Sequence, residues 1–124
     1  MSEPTIGVVL SFDDPAWADM TGAQRRAFRL SVAREKGRHT KQEWVVLHDV
    51  FKRCVLCDVP VSELYGGHAT KDHIKPIMFG GCDCIANLQP VCRECNTKGI
   101  GVDLREATIP GWQTIYLHRL GSYY

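Results

Sequence analysis

The sequence contains two Cys-x-x-Cys units, Cys54-Val-Leu-Cys57 and Cys92-Arg-Glu-Cys95, whose spacing is typical of metal sites. A Cys-x-x-Cys turn places two sulfurs on one side of a tight loop, and two such turns can surround a zinc ion tetrahedrally. Because four thiolates fill every position, no place remains for water or substrate. The pattern therefore predicts a structural zinc whose binding energy stabilises the fold, in preference to unligated core cysteines.

A third pair of cysteines leaves an alternative ligand set open. Cys82 and Cys84 form a Cys-x-Cys sequence directly after two glycines. They could replace one Cys-x-x-Cys pair as ligands. Since the two Cys-x-x-Cys units already complete a tetrahedral set, we interpret Cys82 and Cys84 as loop residues.

Residues suited to phosphodiester hydrolysis lie between and beside these units. The carboxylate of Asp72 is a ligand type that a hard cation such as Mg²⁺ prefers. His73 follows it, and neighbouring side chains of a strand point to opposite faces. We therefore expect His73 to point away from Asp72, where it can act on a water molecule. Asn96 and Lys98 follow Cys95 at the start of a predicted helix, close to the zinc.

Two helices are predicted ahead of the first cysteine. Thr21 with Gln24, and Thr40 with Glu43, each form a capping box in which side chains bond the first backbone N–H groups. The first helix is predicted to stop at Gly37. The second has the spacing of one buried stripe, formed by Trp44, Leu47, His48 and Phe51.

The chain is predicted to fold as one domain of the α+β class in four segments. Residues 1–20 form a loosely ordered arm with a short extended piece at 6–10, and 21–53 form a basic helical segment. Residues 54–99 form the zinc-stapled core. Residues 100–124 form a tail whose short helix opens at Pro110–Gly111, continues through Arg119 and is followed by Gly121.

Composition and charge are those of an ordinary globular protein. Hydrophobic residues make up 44% and charged residues 23%, and the net charge is +1. No apolar run approaches the roughly 20 residues of a membrane span, and the run at 6–10 lacks the basic flank of a signal peptide. We therefore expect a cytoplasmic protein without a membrane partner, in which disulfides are disfavoured.

Basic residues are concentrated in one segment, and two interpretations of it stay open. Between Gln24 and Lys41 the only acidic residue is Glu35. The segment is either a solvated helix face or a surface that contacts phosphates. The DNA-binding candidates are Arg25, Arg26 and Arg29 in this segment, and Lys98 after the second cysteine pair.

Taken in order, the motifs from Cys54 to Lys98 resemble the zinc-containing branch of the HNH endonuclease superfamily. The resemblance implies a ββα-metal (His-Me finger) core clasped by the four-cysteine zinc site, with helices before and after it. It covers about 45 residues of the chain. It rests on five motifs in this order: Cys54-x-x-Cys57, Asp72-His73-Ile74-x-Pro76, Gly80-Gly81, Asn87-Leu88-Gln89-x-Val91-Cys92, and the closing Cys92-x-x-Cys95-Asn96.

The resemblance also implies roles for individual residues. Asp72 would be the first ligand of a catalytic metal, and His73 the general base. Asn87 matches the middle Asn of the motif, which ties the loop between the strands and helps to hold the histidine. Asn96 stands where the final His usually lies, as in those family members that have Asn as a ligand. An amide oxygen suits Mg²⁺ or Mn²⁺ better than softer metals.

The implied activity is one-metal hydrolysis of DNA with His73 as base, leaving 5′-phosphate and 3′-hydroxyl ends. Because imidazole exchanges protons near neutral pH, activity should fall in acid. Two alternatives stay open: a non-catalytic zinc module that binds nucleic acid, and a zinc-stabilised protein-interaction domain. The oligomeric state does not follow from the sequence.

The chain also resembles the short, free-standing HNH proteins of tailed bacteriophages. The likeness consists of the chain length, the basic helix and the Thr40-x-x-Glu43-Trp44 helix ahead of the first cysteine pair. It implies a phage-encoded protein that acts in the bacterial host cell, with the DNA-packaging terminase as a partner.

Overall fold

The computed structural model describes residues 19–123, so the predicted arm at 1–20, with its extended piece at 6–10, lies almost wholly outside the described residues. Five helices and one two-stranded sheet make up this part, which confirms the α+β class. None of its helices is long and apolar enough to cross a membrane. In chain order the elements are α1 (Gly22–Lys36), α2 (Lys41–Phe51), β1 (Thr70–His73), β2 (Leu88–Val91), α3 (Arg93–Lys98), α4 (Arg105–Thr108) and α5 (Trp112–Tyr123).

Both predicted capping boxes are confirmed. The Thr21 hydroxyl accepts from the backbone N–H of Gln24 at 3.1 Å, and the Gln24 side chain accepts from the Thr21 N–H at 2.8 Å. Thr40 and Glu43 make the same reciprocal pair at the start of α2. Helix α1 ends at Gly37 as predicted, with a positive φ of 153° that favours glycine.

Helix α2 supplies much of the core. Leu47 and Phe51 of the predicted stripe are buried, together with Val46 and Val50. Trp44 is only half-buried and packs on the edge of this core. The half-buried His48 uses its Nε2 to accept from the backbone N–H of Ala69, 3.0 Å away, which ties α2 to the start of β1.

The sheet is a single antiparallel hairpin. Asp72 lies opposite Gln89, and His73 lies opposite Leu88. All four residues of β2 are buried, because α2 packs against this strand. The long connection between the strands contains two 3₁₀ turns, Ile77–Phe79 and Ile85–Asn87.

The C-terminal region wraps back onto this core. Helix α5 packs on α2, and the rings of Trp112 and Phe51 lie 5.8 Å apart. The buried Arg105 donates to the carbonyl of Leu88 at 3.3 Å and stacks on Trp112 at 4.6 Å. The predicted stop before Gly121 is wrong: α5 continues to Tyr123, since glycine lowers helix stability without preventing the last turn from closing.

Candidate metal centre and active site

The four cysteines of the two Cys-x-x-Cys units are arranged for a metal ion. Their sulfurs all lie within 4.8 Å of one another, and those of Cys57 and Cys92 are 3.8 Å apart. With metal–sulfur bonds of about 2.3 Å, a tetrahedral site separates its sulfurs by about 3.8 Å. The set consists of Cys54, Cys57, Cys92 and Cys95. It joins the turn after α2 to the start of α3.

Backbone N–H groups point at two of these sulfurs. The N–H of Cys57 lies 3.4 Å from the sulfur of Cys54, and the N–H of Cys95 lies 3.5 Å from that of Cys92. Burial alone would raise the pKa of the Cys54 thiol, but backbone hydrogen bonds, that of Cys92 the largest, outweigh burial and lower this pKa. These hydrogen bonds favour the thiolate form of Cys54, which is the form that binds a metal.

The other buried thiols show the opposite effect. Burial raises the pKa of the Cys92 thiol, and burial together with the neighbouring sulfurs raises the pKa of Cys95. Four thiolates so close together repel one another unless a cation lies between them. The electrostatics therefore fit a cation as the partner of this cluster.

Cys82 and Cys84 are not part of the cluster. The structure joins them to each other by a disulfide, with their Cα atoms 5.3 Å apart. The alternative in which they replace one Cys-x-x-Cys pair is therefore wrong. The close spacing of a Cys-x-Cys sequence lets its two sulfurs meet without any long-range constraint.

Asp72, His73 and Asn96 line one open cleft of about 240 Å³, together with residues of the two flanking loops. Asp72 and His73 contact different partners, Gln89 and Asp83 respectively, and the expectation that their side chains point to opposite faces stays a prediction. His73 is the last residue of β1, opposite Leu88, and the chain bends directly after it at 74–75. The loop residues at the cleft are Pro76, Ile77, Gly99 and Gly101.

A buried glutamine holds the Asp72 carboxylate. Gln89, fully buried and opposite Asp72 in the sheet, donates from Nε2 to Asp72 Oδ2 at 2.9 Å. The same amide nitrogen donates to the Val102 carbonyl at 2.7 Å, and its oxygen accepts from the Leu104 N–H at 3.2 Å. The amide thus fixes one carboxylate oxygen and leaves Oδ1 for another partner.

The imidazole of His73 is held by a residue that the sequence analysis did not single out. Its Nε2 lies 2.8 Å from Oδ1 of Asp83, whose side chain is 4% exposed. Burial would raise the pKa of Asp83, but hydrogen bonds from His73 and Arg34 and the charge of His39 outweigh burial and lower it. Asp83 is therefore an anion, and a hydrogen-bond acceptor, at neutral pH.

The amide of Asn96 is oriented by the first strand. Its Nδ2 donates to the Thr70 hydroxyl at 2.9 Å and to the Lys71 carbonyl at 3.0 Å. Both donors of the amide are thereby used, and neither bond involves Oδ1. Asn96 lines the cleft with an oxygen available as a metal ligand.

Asn87 fastens the loop between the strands. Its Oδ1 accepts from the Lys75 N–H at 2.8 Å, while Nδ2 donates to the carbonyls of Lys75 and Cys82 at 3.0 and 2.8 Å. A Cβ at Gly81 would overlap the Lys75 carbonyl, so this crossing requires glycine. The hydrogen bonds of the Asn87 side chain go to backbone on both sides of the loop, whereas the direct contact to His73 comes from Asp83.

The basic candidates lie outside the lining of the cleft. Arg26 and Lys98 are exposed, and Arg25 and Arg29 are half-buried on α1. Helix α1 is nevertheless attached to the loop beside the cleft, because Lys36 Nζ donates to the Gly80 carbonyl at 2.9 Å.

Sequence reasoning missed both residues that hold the side chains of Asp72 and His73. Gln89 belongs to the quoted Asn-Leu-Gln motif, and its place opposite Asp72 follows once the hairpin register is known. Asp83 is the only acidic residue between Asp72 and Glu94, which was the available signal.

Comparison with known families agrees with this geometry. Residues 54–99 match the family model described as HNH endonuclease, with boundaries that enclose both cysteine pairs and the whole hairpin. Searches among curated proteins and among solved structures gave no match. Residues 54–99 are therefore similar to an HNH endonuclease domain.

Proposed function

We propose that this protein is a metal-dependent endonuclease that hydrolyses DNA phosphodiester bonds, one strand at each event. The observation that carries the proposal is the convergence of Asp72, His73 and Asn96 on one open cleft. These residues contribute a carboxylate, an imidazole and an amide to the lining of that cleft. These are the groups that hydrolysis with one divalent cation requires.

Two metals with different ligands fit the two sites. The sulfur tetrahedron of the cysteine cluster suits Zn²⁺ as a structural ion. The oxygens of Asp72 and Asn96 suit Mg²⁺ or Mn²⁺. When bound, that divalent ion supplies positive charge that stabilises the phosphate and the departing 3′ oxygen.

His73 is the general base of the proposed reaction. Its imidazole takes a proton from water as the water oxygen forms a bond to phosphorus, in line with the breaking bond to the 3′ oxygen. The departing oxygen takes up a proton, so the products carry a 5′-phosphate and a 3′-hydroxyl. Asn87 supports this step through the loop that it fastens.

The basic face of α1 is proposed to contact the DNA backbone. Arg25, Arg26 and Arg29 lie on a helix that is bonded to the loop beside the cleft, and Lys98 ends the helix that carries Asn96. We propose that these cations bind phosphates of a strand that extends beyond the cleft.

Nicking of supercoiled plasmid by the zinc-loaded protein tests the proposal. Mg²⁺ or Mn²⁺ is added or left out, because a chelator would also remove zinc. We expect open-circle product only with added metal, and we expect DNA ligase to reseal it, since ligase requires a 5′-phosphate and a 3′-hydroxyl. Asp72→Asn should slow nicking about 100-fold or more, whereas Asp58→Asn, at an exposed carboxylate of the first cysteine turn, should nick normally.

The alternative of a non-catalytic zinc module predicts a different result. A folded, zinc-loaded wild type would then bind DNA with a steep salt dependence and would not nick it under any metal condition. That outcome would overturn the proposed function. A zinc-stabilised protein-interaction domain would show neither nicking nor salt-dependent DNA binding.

The phage origin, the terminase partner and action in the cytoplasm of a host cell rest on the resemblance of the whole chain alone. They stay predictions. Co-purification of the tagged protein with terminase subunits tests the partnership, and absence of association at micromolar concentrations would contradict it.

A further inference from the structure

Asp83 connects the proposed base to the part of the chain that precedes the matched domain. Its Oδ1 contacts His73 Nε2 at 2.8 Å, whereas its Oδ2 accepts from Arg34 Nε at 3.2 Å. Its backbone carbonyl accepts from both the N–H and the Nδ1 of His39, at 2.9 and 2.8 Å. Its N–H donates to the Ala33 carbonyl at 3.4 Å. Three of its four polar groups are thus bound by residues outside 54–99.

We propose that Asp83 is the positioning residue for His73, and that the segment 33–39 holds Asp83 in the orientation that this task requires. The inference rests on the proposed function, in which His73 is the general base. It goes further, because it extends the catalytic unit beyond the HNH domain into the end of α1.

Burial makes this contact specific. The side chain of Asp83 is 4% exposed and that of His39 is 8% exposed, so water competes little for their hydrogen bonds. His39 Nδ1 also lies 3.6 Å from Asp83 Oδ1. The carboxylate therefore has fixed donors on both oxygens, and it cannot turn away from His73 without losing Arg34.

The contact also selects a tautomer of His73. A carboxylate only accepts hydrogen bonds, so the neutral imidazole must carry its proton on Nε2. The lone pair is then on Nδ1, which no hydrogen bond among the described residues uses. Asp83 thus assigns Nδ1 as the atom that takes the proton from water.

Asp83→Asn is the most informative variant, because the Arg34 donor fixes the orientation of the new side-chain amide. The amide oxygen should face the Arg34 donor, which leaves the NH₂ group facing His73 and forces the opposite tautomer. We expect the kcat for nicking to fall between about tenfold and 10⁴-fold, with KM for DNA and zinc content changed less than about twofold. Arg34→Gln should lower kcat by about three- to tenfold. Arg119→Gln is the matched control, since it removes an arginine that contacts the Asp49 backbone instead.

Nitrogen NMR of ¹⁵N-histidine protein at pH 8 gives a readout that does not depend on activity. The His73 signals are assigned by their loss in His73→Ala. We expect the Nε2–H tautomer in wild type and the Nδ1–H tautomer in Asp83→Asn. If Asp83→Asn fails to fold, the wild-type tautomer and the Arg34→Gln kinetics decide.

The outcomes separate this inference from the proposed function. Wild-type nicking with an Asp83→Asn kcat within twofold of wild type overturns the inference alone. An Nδ1–H tautomer in wild type does the same. If wild type does not nick but shows the Nε2–H tautomer that Asp83→Asn reverses, the proposed function fails while the contact that positions His73 stands.

Discussion

The cysteine cluster and the cleft meet in one short helix, where consecutive residues face different sites. Cys95 is buried and belongs to the sulfur set, whereas Asn96 is half-buried and lines the cleft. In the cluster, all four ligand atoms are sulfurs that converge on a single point. In the cleft, Asp72 and Asn96 are each fixed through one polar atom and keep an oxygen for another partner. A complete ligand set stabilises a fold, whereas an incomplete one leaves room for water and substrate.

The structure of the cleft depends on the cysteine cluster, whereas the cluster does not depend on the cleft. The cleft needs the cluster, because Cys92 and Cys95 begin the helix that positions Asn96. The cluster does not need the cleft, since none of its sulfurs is bonded to Asp72, His73 or Asn96 in the described residues. Variants at the two sites should therefore separate folding from catalysis.

Loss of a cluster sulfur should have the largest effect. Cys54→Ser removes one ligand at a fully buried position, and structural zinc contributes on the order of 10–16 kcal/mol to comparable small domains. We expect loss of bound zinc, of cooperative unfolding by circular dichroism and of all nicking. A Cys54→Ser protein that stays folded with one equivalent of zinc would refute the assignment of the cluster. The double variant of Cys82 and Cys84 to serine should keep its zinc.

Gln89→Leu should remove the hydrogen bond that holds Asp72 in the cleft, while the cysteine cluster keeps its zinc. The substitution leaves Asp72 Oδ2, the Val102 carbonyl and the Leu104 N–H without their buried partner. We expect the free energy of unfolding in urea to fall by about 2–4 kcal/mol, with zinc retained and nicking slowed. Gln113→Leu on the exposed face of α5 is the control. Equal stability of Gln89→Leu and wild type would show that the amide does not hold the carboxylate.

Substitution of an arginine on the basic face of α1 should change DNA affinity without changing the rate of hydrolysis. Arg26→Gln removes one proposed phosphate contact, so the slope of log affinity against log salt should become shallower by about 0.9. Fluorescence anisotropy with a duplex oligonucleotide measures this. Arg53→Gln, at an arginine paired with the exposed Asp58, should leave the slope unchanged. Identical slopes for both variants would favour the solvated-face interpretation of α1.

The ion pair between the buried Arg105 and the half-exposed Asp103 should have the smallest effect on stability. The hydrogen bond and charge of Arg105 lower the pKa of Asp103. The stability that it contributes is therefore complete above the ordinary carboxyl pKa, and is lost only as pH falls through the lowered value. Since Asp103 is about half exposed, Asp103→Asn should cost about 0.5 kcal/mol. Urea unfolding should give the same difference at pH 8 and pH 5, and a difference that changes over that interval would contradict the lowered pKa.

The sequence predicted the parts of the molecule that depend on local spacing. The two capping boxes, the end of α1 at Gly37 and the cysteine cluster all follow from residues a few positions apart. The HNH motif predicted which side chains meet in the cleft. The ordered Asn87 loop also follows from that motif, because its hydrogen bonds stay within the loop.

The partners of Asp72 and His73 could be found only with three-dimensional information. Asp83 meets Arg34 and His39 across more than 40 residues of sequence, and nothing local marks that contact. The end of α5 at Tyr123 was missed because Gly121 is a weak stop when the helix already packs on α2.

The most direct test of the account compares single-turnover nicking by zinc-loaded wild type and His73→Ala at saturating Mg²⁺. His118→Ala, at an exposed histidine of α5, controls for the substitution itself. The account predicts a rate about 10²–10⁴-fold lower for His73→Ala, with unchanged zinc content and DNA affinity, and a normal rate for His118→Ala. A folded, zinc-loaded His73→Ala that nicks as fast as wild type would contradict the assignment of His73 as the base.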